Sequence, residues 1–257
     1  MEDETNFAIY PSLRDRVVII TGGASGIGEA MVRAFAGQGA RVSFLDVQDD
    51  AAAELIESLT SAPKLPVYYH CDLTDIGILQ EAIRRILAET GTVDVLVNNA
   101  GNDTRHQVQD VTPEFWDHTI AVNLKHQFFA AQAVIPAMQR AGHGSIIDMS
   151  SIGWVIPSVK QSVYVTAKAA VVGMTRTLAH EVGEFNIRVN AVMPGAILTE
   201  RQRRLWLTDA YKAEVLHNQA LKRMILPEEV ARLVLFLAAD DSSAITNQSY
   251  VIDAGWV

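Results

Sequence analysis

The 257-residue sequence predicts an α/β fold, a single doubly wound parallel sheet of about seven strands with helices on both faces. Three observations carry this. Short β-branched runs alternate with helical patterns to the end of the chain, as parallel strands joined by crossover helices require. The first run, 17–21 (VVIIT), passes straight into a glycine turn, TGGASGIG at 21–28, that opens a helix. No internal repeat, low-complexity tract or linker breaks the alternation, so residues 1–257 read as one domain.

Taken in order, the Ala-rich segment 29–36 is the first helix and 41–45 the second strand, ending in Asp46. Gly22, Gly26 and Gly28, with Ser25 and Ile27 between them, let a turn approach a pyrophosphate and leave N–H groups at a helix N-terminus. Asp46 stands 18 positions after Gly28, which turns a weak glycine pattern into a dinucleotide fingerprint. Its carboxylate is expected to accept from ribose hydroxyls and to repel a 2′-phosphate, and no Lys or Arg lies in GGASG or DVQDD, so NAD is expected over NADP. Without the glycine turn, Asp46 would read as a helix N-cap or a solvated loop acid.

A helix over 50–60, a loop marked by Pro63 and Pro66, and a third strand over 67–71 ending at Asp72 follow, with Cys71 read as a small buried hydrophobe. The helix 76–89 carries Ile76, Leu79, Ile83, Ile86 and Leu87 on one stripe. The fourth strand, 93–97, leads into Asn98, Asn99, Ala100 and Gly101, a loop suited to pass under a flat ligand or simply to turn. Thr112 and Pro113 cap and start a helical stretch reaching 139. Asn123 lies inside it, where an Asn either faces solvent or has a specific use for its amide. Strands over 145–149, 187–193 (ending in Pro194 and Gly195) and 249–252, and helices over 163–180 and 227–239, complete the alternation. Residues 199–226 interrupt it and read as a helical lid over the strand ends, its basic run Arg201 to Arg204 as a solvated helix face.

Between Ser150 and Lys168 a hydroxyl, a phenol and an amine fall in one short segment. Tyr164 and Lys168, four residues apart, share a helix face. An ammonium beside a phenol favours the phenolate, and a base near neutrality needs the ordinary pKa of about 10 lowered by roughly 2 to 3 units. Taken alone, the pair reads more readily as a surface Lys below a core Tyr.

Hydrophobic residues make up 49% and charged residues 20% of the chain, enough for one sizeable core. The net charge of -9 argues against nucleic acid or an anionic membrane as partner. Cys71 is the one cysteine, so no internal disulfide forms and a reducing compartment is expected. The start, MEDETNFAIYPSL, is acidic where a signal peptide is basic, and no apolar run is long enough to span a membrane. The expectation is a soluble cytoplasmic protein that uses no metal.

TGGASGIG, NNAG at 98–101, Asn123, Ser151, Tyr164 with Lys168, and PG at Pro194 resemble, in order and spacing, the short-chain dehydrogenase/reductase superfamily over nearly the whole chain. That resemblance implies Tyr164 as acid/base, Lys168 as the group that lowers its pKa and holds the nicotinamide ribose, and Asn123 as support for a proton-relay water. Ser151, 13 residues before Tyr164, matches the family's catalytic serine better than Ser150. It implies cofactor contacts at Asn99, Ala100, Gly101, Pro194, Gly195 and Ile197, a carboxamide contact at Thr199 and an adenine contact at Asp72 with Leu73. AIYPSL, VNNAGNDTRH at 97–106 and the terminal IDAGWV further resemble the NAD-dependent aldose 1-dehydrogenases of that superfamily, which oxidise xylose, galactose or arabinose to lactones.

A sugar needs directional polar partners. Asn102 and Asp103 leave the fourth strand at the catalytic end, together with Thr104, Arg105 and His106; Trp154 offers a ring to an apolar sugar face, and Gln161 and Arg201 offer polar reach. Equally, Asp103 and Arg105 are able to pair with each other, and Trp154 to sit in the core. The competing readings are a polyol or secondary-alcohol dehydrogenase, a ketoreductase, and a non-catalytic dinucleotide-binding regulator. The resemblance also implies a homo-oligomer, dimer or tetramer.

Overall fold

The computed structural model describes residues 7–257, so residues 1–6 of the acidic start lie outside the described residues. Seven parallel strands form one sheet in the order β3-β2-β1-β4-β5-β6-β7. They are β1 (Val17–Thr21), β2 (Arg41–Asp46), β3 (Val67–His70), β4 (Val95–Asn98), β5 (Gly144–Met149), β6 (Ile187–Pro194) and β7 (Ser249–Ile252). The inner strands β1, β4 and β5 are buried at every residue, which is why they read as apolar runs.

Helices α1 (Gly26–Gly37), α2 (Asp49–Ser58), α3 (Ile76–Thr90), α4 (Pro113–Ile120), α5 (His126–Ala141), α6 (Ser162–Val182), α7 (Glu200–Leu205), α8 (Asp209–Asn218) and α9 (Pro227–Ala238) complete the chain. Successive strand residues face opposite ways, so two cores form. Val18, Ile20 and Phe44 pack with Met31 and Phe35 of α1 and Val234 of α9. Ile19, Leu45 and Ile146 pack with Ile83 of α3, Val134 of α5 and Leu178 of α6.

Three expectations need correction. Cys71 lies one residue beyond β3, though buried as expected, and β4 begins at Val95 rather than 93. The stretch 112–139 starts as foreseen, with Phe115 N donating to Thr112 Oγ1 at 3.2 Å, but it is not one regular helix. A π-helical turn, Ala121–Lys125, separates α4 from α5. Amides engage the backbone of the turn and of the α4 end before it: Asn123 Nδ2 donates to Thr119 O at 2.9 Å and Gln127 Nε2 to Asn123 O at 3.2 Å, a side-chain alternative to the α-helical ladder.

β1 lies between β2 and β4. The chain runs outward to β3 and then returns to β4, so the loops after β1 and β4 part over a crevice, where open α/β sheets take ligands. The stretch 199–226, expected to form a lid, carries α7 and α8. Thr199 Oγ1 accepts from Gln202 N and Thr208 Oγ1 from Tyr211 N, both at 3.1 Å, and the Ile197–Ile225 bridge closes its base. Among the described residues, no helix is long and apolar enough to cross a membrane.

Candidate active site

The glycine turn is built so that side chains are excluded. Gly22 and Gly26 have φ of 66° and 59°, and a Cβ on Gly28 would lie 1.8 Å from Gly22 O. The loop after β4 grips the turn: Asn99 Nδ2 donates to Thr21 O and Gly22 O, both at 2.9 Å. Thr21 Oγ1 accepts from Asn99 N and Ala100 N at 3.0 and 3.1 Å. From the other side Asp46, buried at the end of β2, accepts from Ala24 N at 2.9 Å through Oδ2 and from Val47 N and Gln48 N at 2.8 and 3.1 Å through Oδ1. Each carboxylate oxygen has two acceptor sites, so Oδ2 keeps one for a ribose hydroxyl. Gln48 Nε2 ties Asp46 Oδ1 to Ser25 Oγ at 3.2 and 3.1 Å.

The remaining expected cofactor residues sit around this cradle in different states. Thr199 covers Gly26, with its methyl 3.3 Å from where a Cβ there would be. Its hydroxyl accepts from Gln202 N and keeps its proton to donate. Asp72 turns back on Thr74, accepting from N and Oγ1 at 2.9 and 2.7 Å, and those bonds hold its carboxyl below the usual range. Leu73 and Ile27 are half-buried against the two cores, and Ile197 is buried. Pro194 ends β6, and Gly195 lies so close to Asp253 that a Cβ would be 2.7 Å from Asp253 Cβ. A cradle closed to side chains, an acid at the end of β2 and open N–H groups at α1 fit a dinucleotide.

Beside the cradle, Gly101, Asn123 and Lys168 meet: a Cβ on Gly101 would lie 3.1 Å from Asn123 Oδ1 and 3.3 Å from Lys168 Nζ. Lys168 is buried, its Nζ donating to Met149 O at 2.8 Å and lying 5.7 Å from the Tyr164 ring centroid. The two serines separate clearly. Ser150 Oγ is buried and donates to Lys168 O at 2.7 Å, whereas Ser151 Oγ accepts from Gly153 N at 3.0 Å and bonds to Tyr164. The Asn123 amide is fully engaged, Oδ1 accepting from Asn102 N and Nδ2 donating to Asn102 O and Thr119 O.

One expectation about this group is reversed. Burial pushes the half-buried Tyr164 phenol up to about 12; the Ser151 hydrogen bond opposes this and the Asp103 carboxylate adds to it. Desolvation therefore outweighs the Ser151 hydrogen bond.

On the lid side, Asp103 and Arg105 do not pair with each other; each reaches across. Arg201 Nη2 donates to Asn102 Oδ1 at 3.0 Å and Nε to Asp103 Oδ1 at 3.3 Å. Arg105 stacks over Trp206 at 4.2 Å and Tyr211 at 5.8 Å. Two arginines thus cross between loop and lid. Trp154, in the 3₁₀ turn Ile152–Trp154, is 39% exposed and so not a core residue. Gln161 is half-buried at the start of α6, where His106 Nε2 also meets Ser162 Oγ at 3.0 Å. Sequence reasoning missed Trp206 and Tyr211, whose lid positions carry no diagnostic period, and Asp148, whose signal was a carboxylate inside the apolar run SIIDM.

A parallel sheet with a glycine cradle at its switch point and a Ser, Tyr and Lys converging beside it defines an oxidoreductase of the dinucleotide-binding class. Residues 22–257 match the family model described as enoyl-(acyl carrier protein) reductase. The chain belongs to the short-chain dehydrogenase/reductase family. It is 50% identical over 249 residues to the D-xylose 1-dehydrogenase of Caulobacter vibrioides, covering 97% of this chain and 98% of that one. It is 46% identical over 247 residues to the probable galactose dehydrogenase GalD of Rhizobium meliloti, covering 96% of each. A 7α-hydroxysteroid dehydrogenase solved with NADH and 7-oxo glycochenodeoxycholic acid superposes with a TM-score of 0.90 at 30% identity, over 95% of this chain and 96% of that one.

Proposed function

We propose that the chain oxidises the anomeric hydroxyl of a cyclic aldose, a pentose or hexose such as xylose, galactose or arabinose, to the aldonolactone with NAD⁺. The observation that carries this reading is the 50% identity, spread over 97% of the chain, to a D-xylose 1-dehydrogenase. The polar loop Asn102 to His106 beside Ser151 and Tyr164 supports it.

Bound NAD⁺ supplies the hydride acceptor. Gly22, Ser25, Gly26, Ile27 and Gly28 hold its pyrophosphate, Asp46 its adenosine ribose, and Lys168 its nicotinamide ribose. Tyr164 Oη takes the proton of the anomeric hydroxyl, and Ser151 Oγ positions that hydroxyl. Ionising the phenol is opposed by burial and Asp103, and Arg201 offsets the second by pairing with Asp103. Asn123 acts through Asn102, fixing the loop that receives the sugar. Trp154 lays its ring on the apolar sugar face, and Gln161, Asn102, Asp103 and Arg201 meet hydroxyls.

The protein works in the cytoplasm as a dimer or tetramer built on α4, α5 and α6, where Trp116 and Phe128 are each 42% exposed. A panel of pentoses and hexoses with NAD⁺ and with NADP⁺, read by reduced-cofactor absorbance and lactone detection, tests the reading. NADH formation with a cyclic aldose and none with the matching alditol is expected. Turnover of alditols alone would replace it with a polyol dehydrogenase.

A further inference from the structure

Behind the crevice a second polar cluster lies inside the protein. Asp148 of β5 is fully buried; its Oδ1 accepts from Asn98 Nδ2 at 2.8 Å and its Oδ2 from Thr175 Oγ1 of α6 at 2.9 Å. Both donors are neutral. The next residue along β5, Met149, gives its carbonyl to Lys168 Nζ, a buried ammonium with three protons to place. Each buried ion, held by neutral partners alone, would be costly. Two other titratable side chains pack here: His126 of α5, which burial and the Lys168 charge push down to about 3 and so keep neutral, and Tyr164, whose ring centroid lies 5.7 Å from Lys168 Nζ. Gln127, the remaining polar neighbour, spends its amide on Asn123 O and Met149 O.

We propose that Asp148 is a positioning residue for the reaction, the buried counter-ion that keeps the Lys168 ammonium charged. The inference rests on the catalytic reading of Lys168 given above. Burial pulls Lys168 down to about 8, and Asp148 is the group that opposes it. Burial pushes Asp148 up to about 6, with the two hydrogen bonds and Lys168 opposing. Each group thus opposes the effect of burial on the other. Asn is a fair isostere at 148, because Asn98 still finds an oxygen acceptor and the Thr175 hydroxyl can accept from the new amide.

The test compares wild type, Asp148→Asn and Thr175→Val by NADH affinity against pH, read from nicotinamide fluorescence, and by kcat against pH with the aldose that wild type turns over. Asp148→Asn should move the alkaline limb of both profiles down by about one pH unit, an affinity or rate change of about tenfold on that limb. Thr175→Val removes a hydrogen bond from the same cluster but no charge, and should leave the limb in place. A loss uniform across pH, or equal shifts in both variants, would overturn the proposal. If wild type turns over no aldose, the sugar reading fails alone, and the NADH profiles still decide the role of Asp148.

A second measurement does not depend on Asp148→Asn folding. Without its partner, the raised carboxyl of Asp148 costs stability as pH rises from its unfolded value of about 3.9 through its folded one. Lys168→Met should therefore lose more melting temperature than wild type between about pH 5 and about pH 8. Equal losses would show that the two groups are uncoupled and overturn the proposal.

Discussion

The side chain of Asn123 and the backbone of Asn102 exchange two hydrogen bonds, Asn102 N donating to Oδ1 at 2.9 Å and Nδ2 donating to Asn102 O at 3.1 Å. The π-helical turn delivers that amide, and Gly101 leaves room for it. Asn123→Leu strands both backbone groups at a cost of about 1–3 kcal/mol. A lower melting temperature and a several-fold higher aldose KM are expected, because Asn102 and Asp103 lose their mooring. Asn123→Asp, which keeps the acceptor, should recover part of the KM. An unchanged KM in the Leu variant would rule out this route from Asn123 to the sugar.

Tyr164→Phe should abolish turnover while NADH still binds. The same pair of proteins reports the phenol directly. In the chain alone Tyr164 should ionise near 12, seen as a phenolate absorbance step in wild type that is missing from the Phe variant. The oxidised nicotinamide ring of saturating NAD⁺ is cationic and should move that step to lower pH. Near-normal turnover by the Phe variant would remove Tyr164 as the base.

What the sequence disclosed was what local chemistry sets. VVIIT before TGGASGIG located β1, the turn and α1 because a buried parallel strand must be apolar and Gly22, Gly26 and Gly28 occupy positions that exclude a Cβ. The spacing of Ser151, Tyr164 and Lys168 set a cluster that the fold assembles with little freedom. What stayed hidden depended on partners distant in sequence. The net shift of the Tyr164 phenol is a balance of burial, Ser151 and Asp103, none of which a four-residue spacing reveals. The crossed arginines likewise join positions 201 with 102 and 103, and 105 with 206 and 211, through lid packing. The π turn at Asn123 came from side-chain amides competing for helix carbonyls, which propensity alone does not register.

Asp46 joins two functions that a substitution would separate poorly unless both cofactors are measured. Its carboxylate holds Ala24 N of the glycine turn and keeps one acceptor site for a ribose hydroxyl. Asp46→Ala should weaken NAD strongly through both losses and NADP much less, since removal of a negative charge favours a 2′-phosphate. The ratio of KM values for the two cofactors is the readout. Equal weakening of both would mean that Asp46 serves only the turn.

The Asp103–Arg201 pair should set where on the pH scale the enzyme begins to work. Asp103 raises the Tyr164 pKa, and the Arg201 guanidinium at 3.3 Å offsets its charge. Removing Arg201 leaves the carboxylate uncompensated, which disfavours the phenolate and moves the rising limb of kcat to higher pH. Asp103→Asn removes the repulsive charge and should move the limb the other way. Both partners are partly exposed, with side chains 46% and 30% accessible, so each shift should amount to about half a pH unit or less and shrink at high salt. The double variant Asp103→Asn, Arg201→Ala should resemble Asp103→Asn alone, because Arg201 acts on the phenol only through the acid it covers. Additive shifts in the double variant would instead mean that Arg201 reaches Tyr164 by its own field.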